Sequence, residues 1–103
     1  MIEQLLDELG IKCFVLTNNE CPTCNEWIKT SYDKLVADFP HIKFHLVDCY
    51  EEHQSGRMYF PPLVVPSFYF YKDKTDFPLI NQGLLPDVEL RHSINRVVKL
   101  LDN

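Results

Sequence analysis

The chain has 103 residues, 46% of them hydrophobic and 24% charged, with 3 glycines and a formal net charge of −5. That length supports one domain with its own core, and the acidic balance argues against a nucleic acid or an anionic membrane as partner. The longest apolar run is far too short to span a bilayer.

In chain order, Ile2, Leu5, Leu6 and Leu9 fall at helical spacing and predict a helix over 2–9 that Gly10 stops. The nearly continuous apolar run 11–17 predicts a strand buried on both faces, followed by a loop at Asn18-Asn19. Trp27, Ile28, Tyr32, Leu35, Val36 and Phe39 give the apolar stripe of a helix over 24–39, ended by Pro40. With a strand over 42–48, this first half forms a right-handed βαβ unit with parallel strands.

Residues 49–62 read as a polar, irregular connection with room for a helical turn at Glu51–Ser55. A strand is expected over 66–71, with Pro66 confined to its start or to a sheet edge. Lys72-Asp73-Lys74-Thr75 reads as a hairpin turn into an antiparallel strand over 76–82, where Pro78 suggests an edge. Gly83 breaks the chain, and Pro86-Asp87 opens a terminal helix over 87–101. Its buried stripe is Leu90, Ile94, Val97, Val98 and Leu101.

The chemistry concentrates at Cys21-Pro22-Thr23-Cys24, where the first strand gives way to the long helix. Two thiols at that spacing in a βαβ setting point to redox exchange. The opening Met1–Glu8 is acidic and lacks a basic leader region, so the expected compartment is the cytoplasm, where structural disulfides are rare. The competing reading is half of a zinc site, which needs four ligands. Cys13 and Cys49 stand alone, and His41 and His45 share one strand face without a partner motif, so no metal is expected. Cys13 reads as a buried core thiol and Cys49 as an incidental one at a strand end. Asp73 and Asp76 read as turn residues.

The order α-β-α-β-β-β-α, with Cys-x-x-Cys at the first strand-to-helix junction, resembles the thioredoxin fold, an α/β fold. The resemblance implies a mixed four-stranded sheet in the order 42–48, 11–17, 66–71, 76–82. Val65-Pro66-Ser67 resembles the family's hydrophobic residue and cis-proline, Asp48 the acidic end of its second parallel strand, and Gly83 its glycine after the last strand. There are departures. Glu20 stands where thioredoxins carry Trp, Pro22-Thr23 where they carry Gly-Pro, and Val15 where they bury a carboxylate. Cys-Pro-x-Cys is closer to glutaredoxins, whose glutathione site has Thr-Val-Pro and a Gly-Gly pair. Here those segments read Val64-Val65-Pro66 and Gly83-Leu84-Leu85-Pro86-Asp87, and a leucine there would crowd glutathione. The chain thus resembles a divergent thioredoxin-like protein.

The resemblance implies a monomeric, single-domain dithiol–disulfide oxidoreductase over 1–103 that reduces protein disulfides and needs no cofactor. Cys21 would attack as a thiolate and Cys24 resolve the mixed disulfide. Val65, Pro66, Trp27, Pro22 and Thr23 would receive the partner segment, and a flavoprotein disulfide reductase or glutathione would supply electrons. The helix N-terminus lowers the Cys21 pKa, to about 7 in this reading, while Glu20 opposes the shift. With the family's carboxylate absent, Glu26, Lys12 or water is the candidate base for Cys24. Two alternatives remain: a thiol oxidase or isomerase of the same fold, and a binding module whose cysteines are incidental or hold a metal cluster.

Overall fold

The computed structural model describes residues 8–48, 65–73 and 79–102, with backbone alone for 79–82 and 102. Strand β1 (Ile11–Thr17) is buried along its whole length. It pairs in parallel with β2 (Ile42–Asp48), from Ile11 opposite Ile42 to Thr17 opposite Asp48. On its other side it pairs antiparallel with β3 (Ser67–Lys72), from Leu16 opposite Ser67 to Ile11 opposite Lys72. Strand β4 (Leu79–Gln82) pairs antiparallel with β3, so the sheet runs β2-β1-β3-β4, the order expected from sequence.

A strand covered on both faces and paired on both edges must be apolar throughout. Lys12 breaks that rule and is nonetheless wholly buried. Its ammonium donates to the backbone carbonyls of Glu8 and Asp73 at the start of the strand. The same end is closed by Gly10, which donates to Asp73 Oδ1 at 2.7 Å, and by Asp73, whose N–H donates to the Gly10 carbonyl at 2.9 Å. Asp73 takes a positive φ of 51°, a conformation that aspartate tolerates in turns.

The long helix α1 begins at Pro22, two residues earlier than expected. It runs as α-helix over Pro22–Trp27, widens to a π-helical stretch over Ile28–Tyr32, and returns to α-helix over Asp33–Asp38. Proline is well suited to a first helical position, where the N–H it lacks has no partner to lose. The π stretch has a packing consequence. Residues five apart on an α-helix point about 140° apart, yet Trp27 and Tyr32 meet edge to face with centroids 5.8 Å apart. The wider turn keeps both aromatic rings on the sheet side.

Helix α2 (Asp87–Asp102) lies on the same face of the sheet. The core between sheet and helices holds Ile11, Cys13 and Val15 of β1, Phe68 and Phe70 of β3, Trp27, Leu35 and Phe39 from α1 and the residue after it, and Leu90 and Ile94 of α2. Phe14, Leu16, Tyr69 and Tyr71 form a second cluster on the opposite face. Arg91 of α2 bridges to Asp38 at the end of α1 (2.6 Å) and to Asp87 in its own first turn (3.0 Å). The guanidinium, helped by Lys34, holds the Asp38 carboxyl below the usual carboxylate range.

Three expectations need correction. In the predicted helix 2–9, Glu8 and Leu9 are not helical, and residues 2–7 lie outside the described residues. Lys12 and Lys43 take the carbonyls of Glu8 and Leu9, and the Glu8 carboxylate reaches His45 at 2.9 Å, which holds the segment against the sheet. Strand β3 begins at Ser67, because Pro66 has no N–H to give the ladder; the Val65–Pro66 peptide is cis. His41 sits in the turn before β2, so it does not share a strand face with His45. Cys49, the Glu51–Ser55 turn and residues 74–78, Asp76 and Pro78 among them, lie outside the described residues.

Phe68 is wholly buried and meets Trp27 edge to face at 5.6 Å. Replacing it with alanine should cost about 3–5 kcal/mol. Urea unfolding followed by the emission of Trp27, the chain's one tryptophan, checks this.

Candidate active site

The loop Asn18-Asn19-Glu20 leaves the end of β1 and delivers Cys21 to the start of α1. Asparagine side chains shape it. Asn18 Oδ1 accepts from the Glu20 N–H at 2.9 Å, an Asx turn. The Asn18 carbonyl accepts from the Cys21 N–H at 2.9 Å. The loop is then pinned from two sides. Asn25 Nδ2 donates to the Asn19 carbonyl at 2.8 Å, and the Asn19 N–H donates to Asp48 Oδ2 at 3.3 Å. Asp48, expected from sequence only as a strand end, thus steadies the loop that carries the cysteine.

Cys21 has extended backbone (φ −93°, ψ 107°) and caps the helix with its own sulfur. Sγ accepts from the Cys24 N–H at 3.2 Å. A capping group satisfies one of the free amides of a first turn, and here the acceptor is the Cys21 sulfur itself. The Cys24 thiol donates to the same sulfur and is the largest influence on it. With the amides of Cys24 and Thr23, it lowers the Cys21 pKa from the ordinary thiol value of 9.0. The opposing influence is partial desolvation of the sulfur rather than the Glu20 carboxylate.

Cys24 has no exposed surface. Burial, and then its hydrogen bond to Cys21, push its pKa up to about 11, against a backbone hydrogen bond from Asn18 that pulls it down. The two thiols, both free, are therefore split in opposite directions by one arrangement. Coupling two titrating groups in this way separates a ready nucleophile from a reserved one. Cys13, also free, is fully buried on β1, and desolvation raises its pKa well above the ordinary value. Tyr32 is likewise pushed up to about 12, chiefly by burial and next by Cys13.

Pro22, Thr23 and Trp27 share one wall of a groove of about 430 Å³ with Glu26, Thr30 and Leu84. Trp27 belongs to the core as well as to the groove lining. Val65 and Pro66 stand at the head of β3, where Ser67 pairs with Leu16. That is the end of β1 from which the cysteine loop departs. The Pro66 carbonyl accepts from the Gly83 N–H at 2.9 Å, and Gly83 takes a φ of 80° that favours glycine. Leu84, next in the chain, lines the groove. Lys12 is at the other end of β1 with its ammonium bound to carbonyls, which removes it as a base for Cys24. Among the described residues, no three His, Cys, Asp or Glu side chains cluster as metal ligands. Asn18, Asn25, Glu26 as a groove wall, and Thr30 were missed as site residues; the run of turn-forming asparagines was the available signal.

No family model matches the chain, and neither does any curated protein sequence. Solved structures do match. Thioredoxin from Trypanosoma brucei brucei superposes with a TM-score of 0.71 at 22% identity, over 95% of this chain and 83% of that one. Thioredoxin from Fasciola hepatica gives 0.66 at 19% identity, over 93% and 90%. Thioredoxin O2 from Arabidopsis thaliana, in its oxidized state, gives 0.65 at 16% identity, over 94% and 86%. The chain has the thioredoxin fold.

Two outcomes are expected. The alkylation rate of Cys21 should rise with pH to a midpoint below 9.0, and Cys24→Ala should move that midpoint upward because the largest lowering influence is gone. Stopped-flow iodoacetamide labelling reads both. Cys24, Cys13 and Tyr32 are acids that the fold keeps protonated, whereas the unfolded chain releases their protons earlier. The stability these three groups contribute should therefore be fully present below the ordinary thiol value of 9.0 and be lost as pH rises toward about 11 for Cys24, whereas the lowered Cys21 pKa contributes stability that is lost as pH falls below 9.0. Urea midpoints at pH 8 and pH 10.5 test the sign.

Proposed function

We propose that this protein is a dithiol–disulfide oxidoreductase that reduces disulfides in other proteins. The observation that carries the reading is the Cys21 sulfur capping α1 while Cys24 waits, protonated and buried, one turn behind it. The shared fold with thioredoxins supports a redox role of this general kind.

Cys21, as thiolate, attacks one sulfur of a partner disulfide. The Cys21–partner bond forms, the partner S–S bond breaks, and the displaced sulfur leaves as a thiolate that takes up a proton. Cys24 gives up its proton and attacks the Cys21 sulfur, closing an internal disulfide and releasing the second partner sulfur. The partner gains two electrons from the dithiol and two protons, one at each displaced sulfur, taken up through solvent, which received the Cys21 proton when its thiolate formed and receives the Cys24 proton in the second step. Glu26, in the groove wall, or a water takes the Cys24 proton. Before attack, a pKa of about 11 keeps Cys24 protonated and in reserve. Attack by Cys21 on the partner removes the thiolate that raises it.

An extended partner segment pairs with the backbone of Val65, beside Pro66, as an added strand would, and packs on Pro22, Thr23 and Trp27. The internal disulfide is reset by a flavoprotein disulfide reductase or by glutathione, in a reducing compartment such as the cytoplasm. Leu84, in the groove, leaves less room for glutathione than a glycine would.

Insulin reduction driven by dithiothreitol should be faster with the wild-type protein than without it, and Cys21→Ser should abolish the gain. Cys24→Ser should accumulate mixed disulfides through Cys21, visible by mass spectrometry. Absence of both rate gain and adducts would overturn the reading.

A further inference from the structure

The groove beside the two cysteines has an unbalanced chemistry. Among the described residues its lining is largely apolar, from Pro22, Trp27 and Leu84, and includes two threonines and one charge, Glu26. Trp27 is fixed from behind by Tyr32 and Phe68, so its exposed edge is a rigid part of the wall. Thr30 turns its hydroxyl inward and donates to the Glu26 carbonyl at 2.9 Å. Its side-chain donor is therefore spent on the helix, and the carboxylate of Glu26 is the charged group that the described lining offers. None of the ion pairs among the described residues engages that carboxylate. Lys29, three residues on, is exposed and does not line the groove. Glu20, just before Cys21, is exposed and adds a second negative charge on the approach.

We propose that this groove selects protein segments in which a basic residue stands beside an apolar one near the target disulfide, with Glu26 as the specificity-determining residue. The inference rests on the redox reading above and names the class of segment that the same site prefers. The apolar side chain covers Trp27 and Leu84 while the Lys or Arg reaches Glu26. A segment bearing Glu or Asp at that point meets like charge instead. Because the pair lies at the rim, its effect falls on encounter rate and choice of partner, and salt weakens it.

Two disulfide-cyclised peptides, identical except for Lys or Glu beside a leucine adjoining the attacked cysteine, provide the test. Single-turnover reduction is measured by the change in Trp27 emission, at low salt and at 0.5 M sodium chloride. The ratio of the two rates within one protein preparation is unaffected by any loss of folded material or shift in Cys21 reactivity. Wild type should favour the lysine peptide by about two- to fivefold at low salt, with the ratio moving toward one at high salt. Glu26→Gln should reduce the ratio, and Glu26→Lys should invert it. Reduction of both peptides with a ratio near one, or a ratio unmoved by Glu26→Lys, would overturn the inference and leave the redox reading standing. Reduction of neither peptide, together with no insulin reduction, would overturn both.

Discussion

Everything in this structure depends on β1 being a strand with no free side. Its residues are buried from Ile11 to Thr17, its two edges are taken by β2 and β3, and its alternate side chains feed two separate clusters. Burial on this scale leaves β1 no room to slide, since a slip of one residue would exchange Cys13 and Val15 with Phe14 and Leu16 across the sheet. The end of β1 is therefore a fixed point. The cysteine loop leaves from it, Asp48 beside it steadies that loop, and Ser67 opposite it brings the cis-proline segment to the same end of the sheet.

From that fixed point the chemistry follows by hydrogen bonding. A cysteine that caps a helix offers its sulfur to amide donors that have no other partner, and each of these favours the charged form. The neighbour one turn on is driven inside by the same geometry, and burial favours its neutral form. One local turn thus produces two thiols of unlike acidity without a buried carboxylate, whose usual place in the resembled family is taken by Val15, a core residue with no exposed surface.

Much of this was legible in the sequence because the signals were local or strongly periodic. The apolar run 11–17, the stripe of α2 and the proline-marked head of β3 each follow from side-chain pattern. The placement of Cys-Pro-Thr-Cys was readable because an apolar strand run ends just before it and a helical stripe begins just after it. What escaped reading was decided by contacts between distant residues. Lys12 looked like a free base, but its ammonium is claimed by carbonyls from Glu8 and Asp73, which lie on either side of it in space and not in sequence. Helical spacing at Leu9 lost to lysines from two strands that take the carbonyls of Glu8 and Leu9. The π stretch could not be seen in an apolar stripe, because it is the pairing of Trp27 with Tyr32 that the wider turn serves.

The bridge from Arg91 to Asp38 has a mechanical side. It joins the last turn of α1 to α2, and Trp27, Leu35 and Phe39 seat that helix along its length on the sheet. A pull applied at Cys21 would meet a rod that is held down from end to end. The loop Asn18-Asn19-Glu20 is tied to that rod by Asn25 and to the end of β2 by Asp48. A load on Cys21 is thereby shared between helix and sheet, and the first turn of α1, which carries both sulfurs, keeps their spacing.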